Sequence, residues 1–567
     1  MQYGWGFLLC LVLLAGQIVS VLPSSTGAES PVSVYQQSTS STPYMATFQL
    51  AKNSSDPMPW VLYPQNDRTV WVITIRNGDP FYSQLVNFTL DRQPQVVLTL
   101  PNAEPASIVV DDKSGRIWFP VNDSVAYYDL ATKKREDSIT YHGGRPEFVT
   151  LDSFGRVWTT LVNSNQIAVF NPTSFENRTF KVPTPNAILQ GITVAPDGTV
   201  WFAEAQAKKL GKLDPATGAI LEYSSPDLVA PAQVAVDSNG ILWFTDHGTN
   251  EFGNFNPVTG GWRRFPIGYC PDSTCETGLP NAIALDIHGK VWFSEHFSGR
   301  VARYDPETGL LTEYVVPYPL GIPVDTVPGT WWSQPGPGNL VWFTSVGFGV
   351  IGYVNASVPV PLTIATNNEA SVQRGWSVKV RITLAYNGTG TVKVGVSPSY
   401  LDYNANRPLI SGNTLVNVLV NSNPSALDVT INAAWTASTG PRYVTITASD
   451  GQVSTGIPVK IIVVDNLLLY TSLAIWVAVV IGGAAFALYI RHRRRREKNP
   501  TYAKTTAKSA NSMDLYHHDV TTKHVPRSRC LNKAKNSQPL EENSFRHFLG
   551  VLSPFTMQRT DWPIYVA

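Results

Sequence analysis

One phrase returns along the chain and decides what it can fold into. At 198–204 it reads Gly-Thr-Val-Trp-Phe-Ala-Glu, followed by Lys-Leu-Gly-Lys-Leu-Asp-Pro-Ala-Thr-Gly from Lys209 and Ile-Leu-Glu-Tyr from Ile220. At 289–295 it reads Gly-Lys-Val-Trp-Phe-Ser-Glu, followed by Arg-Val-Ala-Arg-Tyr-Asp-Pro-Glu-Thr-Gly from Arg300 and Leu-Thr-Glu-Tyr from Leu311. The anchoring tryptophans are Trp71, Trp118, Trp158, Trp201, Trp243, Trp292 and Trp342, spaced by 47, 40, 43, 42, 49 and 50 residues. A period of 40 to 50 residues with about four short strands per unit is the signature of a β-propeller. Seven tryptophans predict seven blades.

Each unit has the parts of a four-stranded antiparallel sheet. A Pro-x-x-[Ile/Val] head opens it, as in Pro231-Ala-Gln-Val and Pro280-Asn-Ala-Ile. An Asp and then a Gly supply the next turn, as in Asp237-Ser-Asn-Gly. The Trp-Phe strand follows, then a strand ending in Asp-Pro-x-Thr-Gly, then the Glu-Tyr strand. One such sheet cannot bury both faces, and a ring of them does. Residues 46–50 are expected to form the outer strand of the last blade, because 350–354 run into a new domain without a fourth strand. That closure would remove two open sheet edges.

The propeller, 45–358, is one module of several, as a chain of 567 residues requires. Residues 1–28 are apolar and read as a secretory signal, with an uncleaved anchor as the alternative. Residues 29–44, rich in Ser, Thr, Pro and Gln, read as a disordered lead-in. Residues 359–466 alternate with period two in six or seven runs, which predicts an immunoglobulin-like β-sandwich stalk with Trp376 and Trp435 as core aromatics. Residues 467–490 carry no charge for 24 residues, about 36 Å as a helix, which predicts one transmembrane span. Tyr470 and Tyr489 stand near its ends, where amphipathic rings favour the interface. The Arg-rich run from Arg491 then places the tail 491–567 in the cytoplasm, and this tail reads as polar and disordered. The fold class is therefore all-β, a seven-bladed propeller and a sandwich, with one helix and a basic tail.

Charge and sequons fit the same layout. The tail from Arg491 onward holds 15 Lys+Arg against 6 Asp+Glu, so a net charge of +1 leaves −8 for the rest. An acidic ectodomain offers nucleic acid no basic footprint. Six Asn-x-Ser/Thr sequons, at Asn53, Asn87, Asn122, Asn177, Asn355 and Asn387, all precede the apolar segment and are glycosylation candidates. Cys270 and Cys275 stand alone between a leader cysteine and a tail cysteine. Outside the cell they are expected to form a disulfide; the alternative is a metal pair, which would need two further ligands.

No Walker loop, zinc-protease helix, Gly-x-Ser-x-Gly elbow or EF-hand loop occurs. The candidate site is the channel mouth, where the residue after each head proline would sit: Ala106, Glu147, Gln190, Ala232, Asn281 and Val324. The residues four after each tryptophan should lie nearby: Asn122, Val162, Ala205, His247, His296 and Val346.

The phrases Val-Trp-Phe-[Ser/Thr/Ala]-[Glu/Asp], Lys-Leu-Gly-Lys-Leu-Asp and Pro-x-x-Ile, over about 60–356, resemble the streptogramin (virginiamycin B) lyase propeller. The resemblance implies a seven-bladed fold. It also implies an elimination that linearises a cyclic depsipeptide with the help of a divalent metal. In that family a histidine follows the head proline of the penultimate blade; here Asn281 stands there. A Glu-Pro-His in the last blade corresponds to Ile322-Pro323-Val324, and the metal-side glutamate to Val346. A general base must be a titratable group within reach of its proton, and Asn and Val are not.

The expected function is therefore binding. The chain reads as a single-pass type I protein of the cell membrane, with its propeller mouth holding a surface ligand, glycan or protein partner. Glu147, Gln190, His247, Asn281 and His296 are the candidate ligand-binding residues. The alternative is a lyase or hydrolase whose divalent metal sits on His247, His296 and Glu147; a third reading is a propeller that only packs or spaces. The two histidines can also be read as plain loop-capping groups. The acids Glu204, Asp246 and Glu295 recur at one blade position, so they are expected to be structural.

Overall fold

The computed structural model describes residues 41–51, 55–268, 278–319, 326–367, 369–397, 399–400, 408–412, 416–465 and 467–497. The leader, most of the lead-in, Asn53, Cys270, Cys275, Val324 and the tail beyond 497 lie outside the described residues.

Every tryptophan of the repeat sits in the second strand of a four-stranded antiparallel unit. In the fourth unit the strands are Leu189–Val194, Val200–Glu204, Lys209–Leu213 and Ile220–Ser224, paired in chain order. Six units of this kind follow one another from Met58 to Val315. The seventh takes Thr330–Pro335, Leu340–Ser345 and Val350–Asn355 from one end of the propeller and Met45–Gln49 from the other. Met45 pairs with Val354 and Gln49 with Val350, so the expected closing strand is present.

The turn aspartates explain why Asp and Trp recur six residues apart. Asp237 Oδ1 accepts from the N–H groups of Asn239 and Ile241, which shapes the turn. Its Oδ2 accepts from the indole of Trp243 at 3.1 Å. Asp152 does the same for Trp158 and Asp286 for Trp292. In these three blades the indole is thus buried between sheets with its one polar atom satisfied, whereas Nε1 of Trp118 and Trp342 has no partner among the described residues. Beneath the neighbouring ring the chain uses glycine: a side chain on Gly211 would overlap Phe202, and one on Gly253 would overlap Phe244.

The second module is a sandwich of two sheets. One holds Leu362–Thr366, Ser377–Tyr386, Ser425–Ala433, Pro408–Gly412 and Ser399–Tyr400; the other holds Glu369–Gln373, Val453–Val464, Gly440–Ser449, Thr389–Ser397 and Val416–Asn421. Ile382, Leu384, Ile431, Ile446 and Ile461 fill the space between them. Trp376 and Trp435, expected in that core, are 60% and 52% exposed. The core is aliphatic, and both tryptophans lie in turns outside the strands.

The sandwich is joined to the propeller by backbone. Strand Val453–Val464 pairs antiparallel with the outer strand of the sixth blade, Leu310–Val315, with Leu311 opposite Gly456 and Tyr314 opposite Val453. Thr445 Oγ1 donates to the Pro266 carbonyl of the fifth blade, and Arg442 meets Asp227 at 2.6 Å. Beyond the sandwich, helix Leu467–Glu497 runs for 31 residues, and Thr471–Arg495 is long and apolar enough to cross a membrane. Of the described sequons, Asn122, Asn177 and Asn387 are exposed, while Asn87 and Asn355 are half-buried.

Candidate functional site

Strand register identifies the equivalent residue at the head of each inner strand. Pro231 pairs with Asp246, Pro280 with Glu295 and Thr330 with Ser345. The seven residues after these heads are Trp60, Ala106, Glu147, Gln190, Ala232, Asn281 and Trp331. The seventh blade therefore presents Trp331 where the sequence pattern pointed to Val324. That blade has Thr330 for the head proline and Ser333 for the following β-branched residue, so Pro323 imitated a signature that the real strand lacks. Trp60 heads the first blade in Pro59-Trp60-Val61-Leu62, which departs from the Pro-x-x-[Ile/Val] pattern only in having Leu62 at the fourth position.

A hydroxyl ties neighbouring heads together. Thr245 Oγ1 accepts from Gln233 N and donates to the Asn281 carbonyl at 2.5 Å. Ser294 Oγ accepts from Ala282 N and donates to the Trp331 carbonyl at 3.0 Å. Thr344 Oγ1 accepts from Trp332 N and donates to the Trp60 carbonyl at 2.8 Å. Each hydroxyl sits one residue before the acid position, a recurrence visible in the sequence. Trp332 lies parallel to Phe148 of the third blade, at 6.5 Å between ring centres.

On this frame an aromatic array forms. Trp60 and Trp331 stack at 4.5 Å between ring centres. His296 meets Trp331 edge-on at 4.7 Å and stacks with His247 at 5.7 Å. Both histidines are buried. Burial lowers the His247 pKa to about 4, more than the Pro280 carbonyl and Asp246 raise it. Burial, and then the neighbouring His247, hold His296 well below the ordinary range. Both rings are therefore neutral at pH 7. His247 Nδ1 lies 3.2 Å from the Pro280 carbonyl, which can only accept, so Nδ1 carries the proton and Nε2 keeps its lone pair. His296 Nδ1 is buried without a hydrogen-bond partner. Asn281 Nδ2 donates to the Trp331 carbonyl at 2.9 Å, fixing its side chain next to this array.

Glu147 belongs to a different part of the ring. It is buried, and its carboxylate meets Arg145 at 3.0 Å. Burial pushes its pKa up and Arg145 opposes this. Gln190 is buried at the head of the fourth blade. Among the described residues no group of three or more His, Cys, Asp or Glu is placed to hold a metal ion.

The recurring acids form their own layer. Asp246 accepts from Val229 N and Ala230 N at 3.0 and 2.6 Å and pairs with Arg264 at 2.7 Å. Glu204 and Glu295 are buried, and their pKa values are raised, first by burial and then by a second carboxyl, Glu222 or Glu313.

The divalent metal implied by the resemblance finds no donors at the family's positions. Asn281 spends its amide on Trp331, Val346 packs into an apolar cluster, and the seventh head residue is an indole.

Residues 40–267 and 131–370 match the model of the virginiamycin B lyase family, together more than half of the chain. No curated protein matches. Among solved structures, selenomethionine-substituted virginiamycin B lyase from Staphylococcus aureus is 18% identical, with a TM-score of 0.46 over 55% of this chain and 98% of that one. A catalytically inactive variant of that lyase with quinupristin is 19% identical, with a TM-score of 0.45 over 55% and 99%. Hydrazine synthase of Kuenenia stuttgartiensis is 14% identical, with a TM-score of 0.43 over 53% and 97%.

Proposed function

The chain belongs to the virginiamycin B lyase family, and from that premise we propose that it is a membrane-anchored cell-surface propeller that binds a ligand at its mouth. The observation that carries this is the array Trp60–Trp331–His296–His247, in which Trp331 holds the seventh head position and Asn281 donates to its carbonyl. It supplies flat apolar rings, one lone pair on His247 and one unpartnered nitrogen on His296. Such a surface suits a partner with apolar faces and hydrogen-bond donors, as a glycan or an extended peptide segment has. Catalysis of the family type asks for a titratable base at Asn281 or Val346, and neither side chain can take a proton at neutral pH. The helix Leu467–Glu497 and the arginines at its end support a single-pass arrangement with the propeller outside.

The test is direct binding. Full-length protein in detergent is screened against glycan and peptide arrays, and hits are repeated with His247→Phe and His296→Phe. Binding lost at an unchanged melting temperature is expected; affinity unchanged in both variants would sink the mouth assignment.

One observation favours a second reading. His247 is oriented by a backbone carbonyl on Nδ1, as metal-ligating histidines commonly are. A lyase or hydrolase with a divalent metal on His247 and His296, to which Glu147 would have to move from its pairing with Arg145, would show stoichiometric metal in the purified protein. It would also turn over cyclic depsipeptides or lactones when Mg²⁺ or Mn²⁺ is added. Neither outcome is expected.

A further inference from the structure

Three tryptophans are exposed among the described residues: Trp376, Trp435 and Trp476. Trp476 belongs to the apolar helix. The other two lie at the end of the sandwich from which that helix leaves. Strand Glu369–Gln373 runs parallel to the last sandwich strand and sets Gln373 beside Val464. Arg374 N donates to the Val464 carbonyl at 3.1 Å, and its guanidinium meets Asp465 at 3.4 Å. Gly375 N donates to the Ala433 carbonyl at 3.0 Å, and Ala433 N donates to the Trp376 carbonyl at 2.9 Å. Trp435 follows two residues later and lies over Gly375, where any side chain would overlap its ring. The helix begins at Leu467, three residues beyond Val464 and within about 10 Å of chain.

We propose that this end of the sandwich is a lipid-contact surface, with Trp376 and Trp435 seated in the headgroup zone of the bilayer that the helix spans. The proposal rests on the helix being a membrane span. An indole has a large apolar body and one N–H donor, which is why tryptophan gathers at membrane–water interfaces and is rarely left in bulk water at this exposure. The sandwich core has no use for these two rings, since aliphatic side chains fill it. The backbone bonds just described hold both beside the strand end, so their position is set by the fold. The neighbouring charges, Arg374 and Asp465, are paired with each other.

The surface has a consequence for the propeller. A helix alone is a single attachment about which a domain can swing. Two further contacts beside it fix the tilt of the sandwich. The sandwich in turn shares a sheet with the sixth blade through residues 453–456. Those residues stand eight or more positions up the strand from Val464, about 26 Å at ~3.3 Å per residue. The bilayer contact would thereby hold the propeller at a fixed height and orientation.

The experiment uses full-length protein reconstituted in phosphatidylcholine vesicles, with lipids brominated near the headgroup end of the acyl chain as quenchers of tryptophan emission. Wild type, Trp476→Phe and the double variant Trp376→Phe/Trp435→Phe are compared, after flotation shows that each travels with the vesicles. Wild type and Trp476→Phe are expected to show a quenched component that the double variant loses by half or more. A double variant quenched as strongly as wild type overturns the proposal while leaving the span intact. Protein that fails to float with the vesicles overturns both. Emission from Trp376 and Trp435 that shifts with protein density and ignores bromination would assign the surface to a second copy of the chain, and overturns the lipid contact.

Discussion

Replacing Glu204 with glutamine tests how the blades tolerate buried charge. The Glu204 carboxyl is fully buried, and neither oxygen has a hydrogen-bond partner among the described residues. The group it faces is a second carboxyl, Glu222, so the two can meet only when one holds a proton. Burial and Glu222 together push Glu204 from 4.5 up to about 8. Glu222 goes the other way: burial would raise it, but hydrogen bonds from Lys209, at 2.6 Å, and Thr184 outweigh that and keep it ionised. The folded protein therefore holds a proton on Glu204 that the unfolded chain releases near 4.5. A raised folded pKa gives stability that is whole below about 4.5 and is lost as pH rises through about 8. The gap corresponds to about 5 kcal/mol above pH 8, of which roughly 3 kcal/mol is already lost at pH 7. Glutamine keeps the shape, cannot ionise and offers Glu222 an N–H donor. Differential scanning calorimetry of wild type and Glu204→Gln at pH 5, 7 and 9 should therefore show curves that diverge with pH. The variant should become the more stable form, by a few degrees at pH 9 for a protein of this size. Other buried carboxyls cancel in the comparison, since both proteins carry them. A difference that stays constant with pH, or a variant less stable than wild type at pH 9, would refute the reasoning.

Thr245→Val removes a hydroxyl that joins the fifth and sixth blades and orphans the Gln233 N–H and the Asn281 carbonyl, both buried. A loss of about 1–3 kcal/mol is expected in urea unfolding. Arg264→Met leaves Asp246 and Glu251 buried without their shared cation. It should cost about 3–5 kcal/mol at pH 7 and less as pH falls, because burial already raises the Glu251 carboxyl toward its protonated form, as measured by thermal melts across pH.

The parts of the fold that could be read in advance are those whose physical cause acts locally and repeats. A turn aspartate serves its own loop and the indole six residues on, so the pair leaves a mark in every blade that uses it. Strand Met45–Gln49 was legible for a related reason: a ring with a three-stranded last blade would leave edges open. The seventh head was not legible, because Thr330 and Ser333 do the work of a proline and a β-branched residue without resembling them. Trp376 and Trp435, read as core aromatics of the sandwich, are exposed. A tryptophan just outside a strand, as Trp376 is before Ser377 and Trp435 after Ala433, has no sheet face to point along. At the candidate site the sequence placed His247 and His296 at equivalent positions, and the structure brings their rings together. It could not place Glu147, which pairs with Arg145.

The acid that the repeat puts on display belongs to the frame. Three cross-strand positions carry Glu204, Lys209 and Glu222 in the fourth blade, Asp246, Glu251 and Arg264 in the fifth, and Glu295, Arg300 and Glu313 in the sixth. The order of acid and base changes, but each set has two carboxyls and one cation. In each set one carboxyl is raised, Glu204, Glu251 or Glu295, with burial as the first cause. A buried set of two acids and one base is neutral only with one proton added, and burial penalises any other state. These carboxyls are thus fixed by the need to be neutral inside a sheet. On the proposed reading, specificity comes from positions where the blades differ. In the proposed binding site those are Trp60, Trp331, His247 and His296, none of which is bound to the repeat by such a constraint.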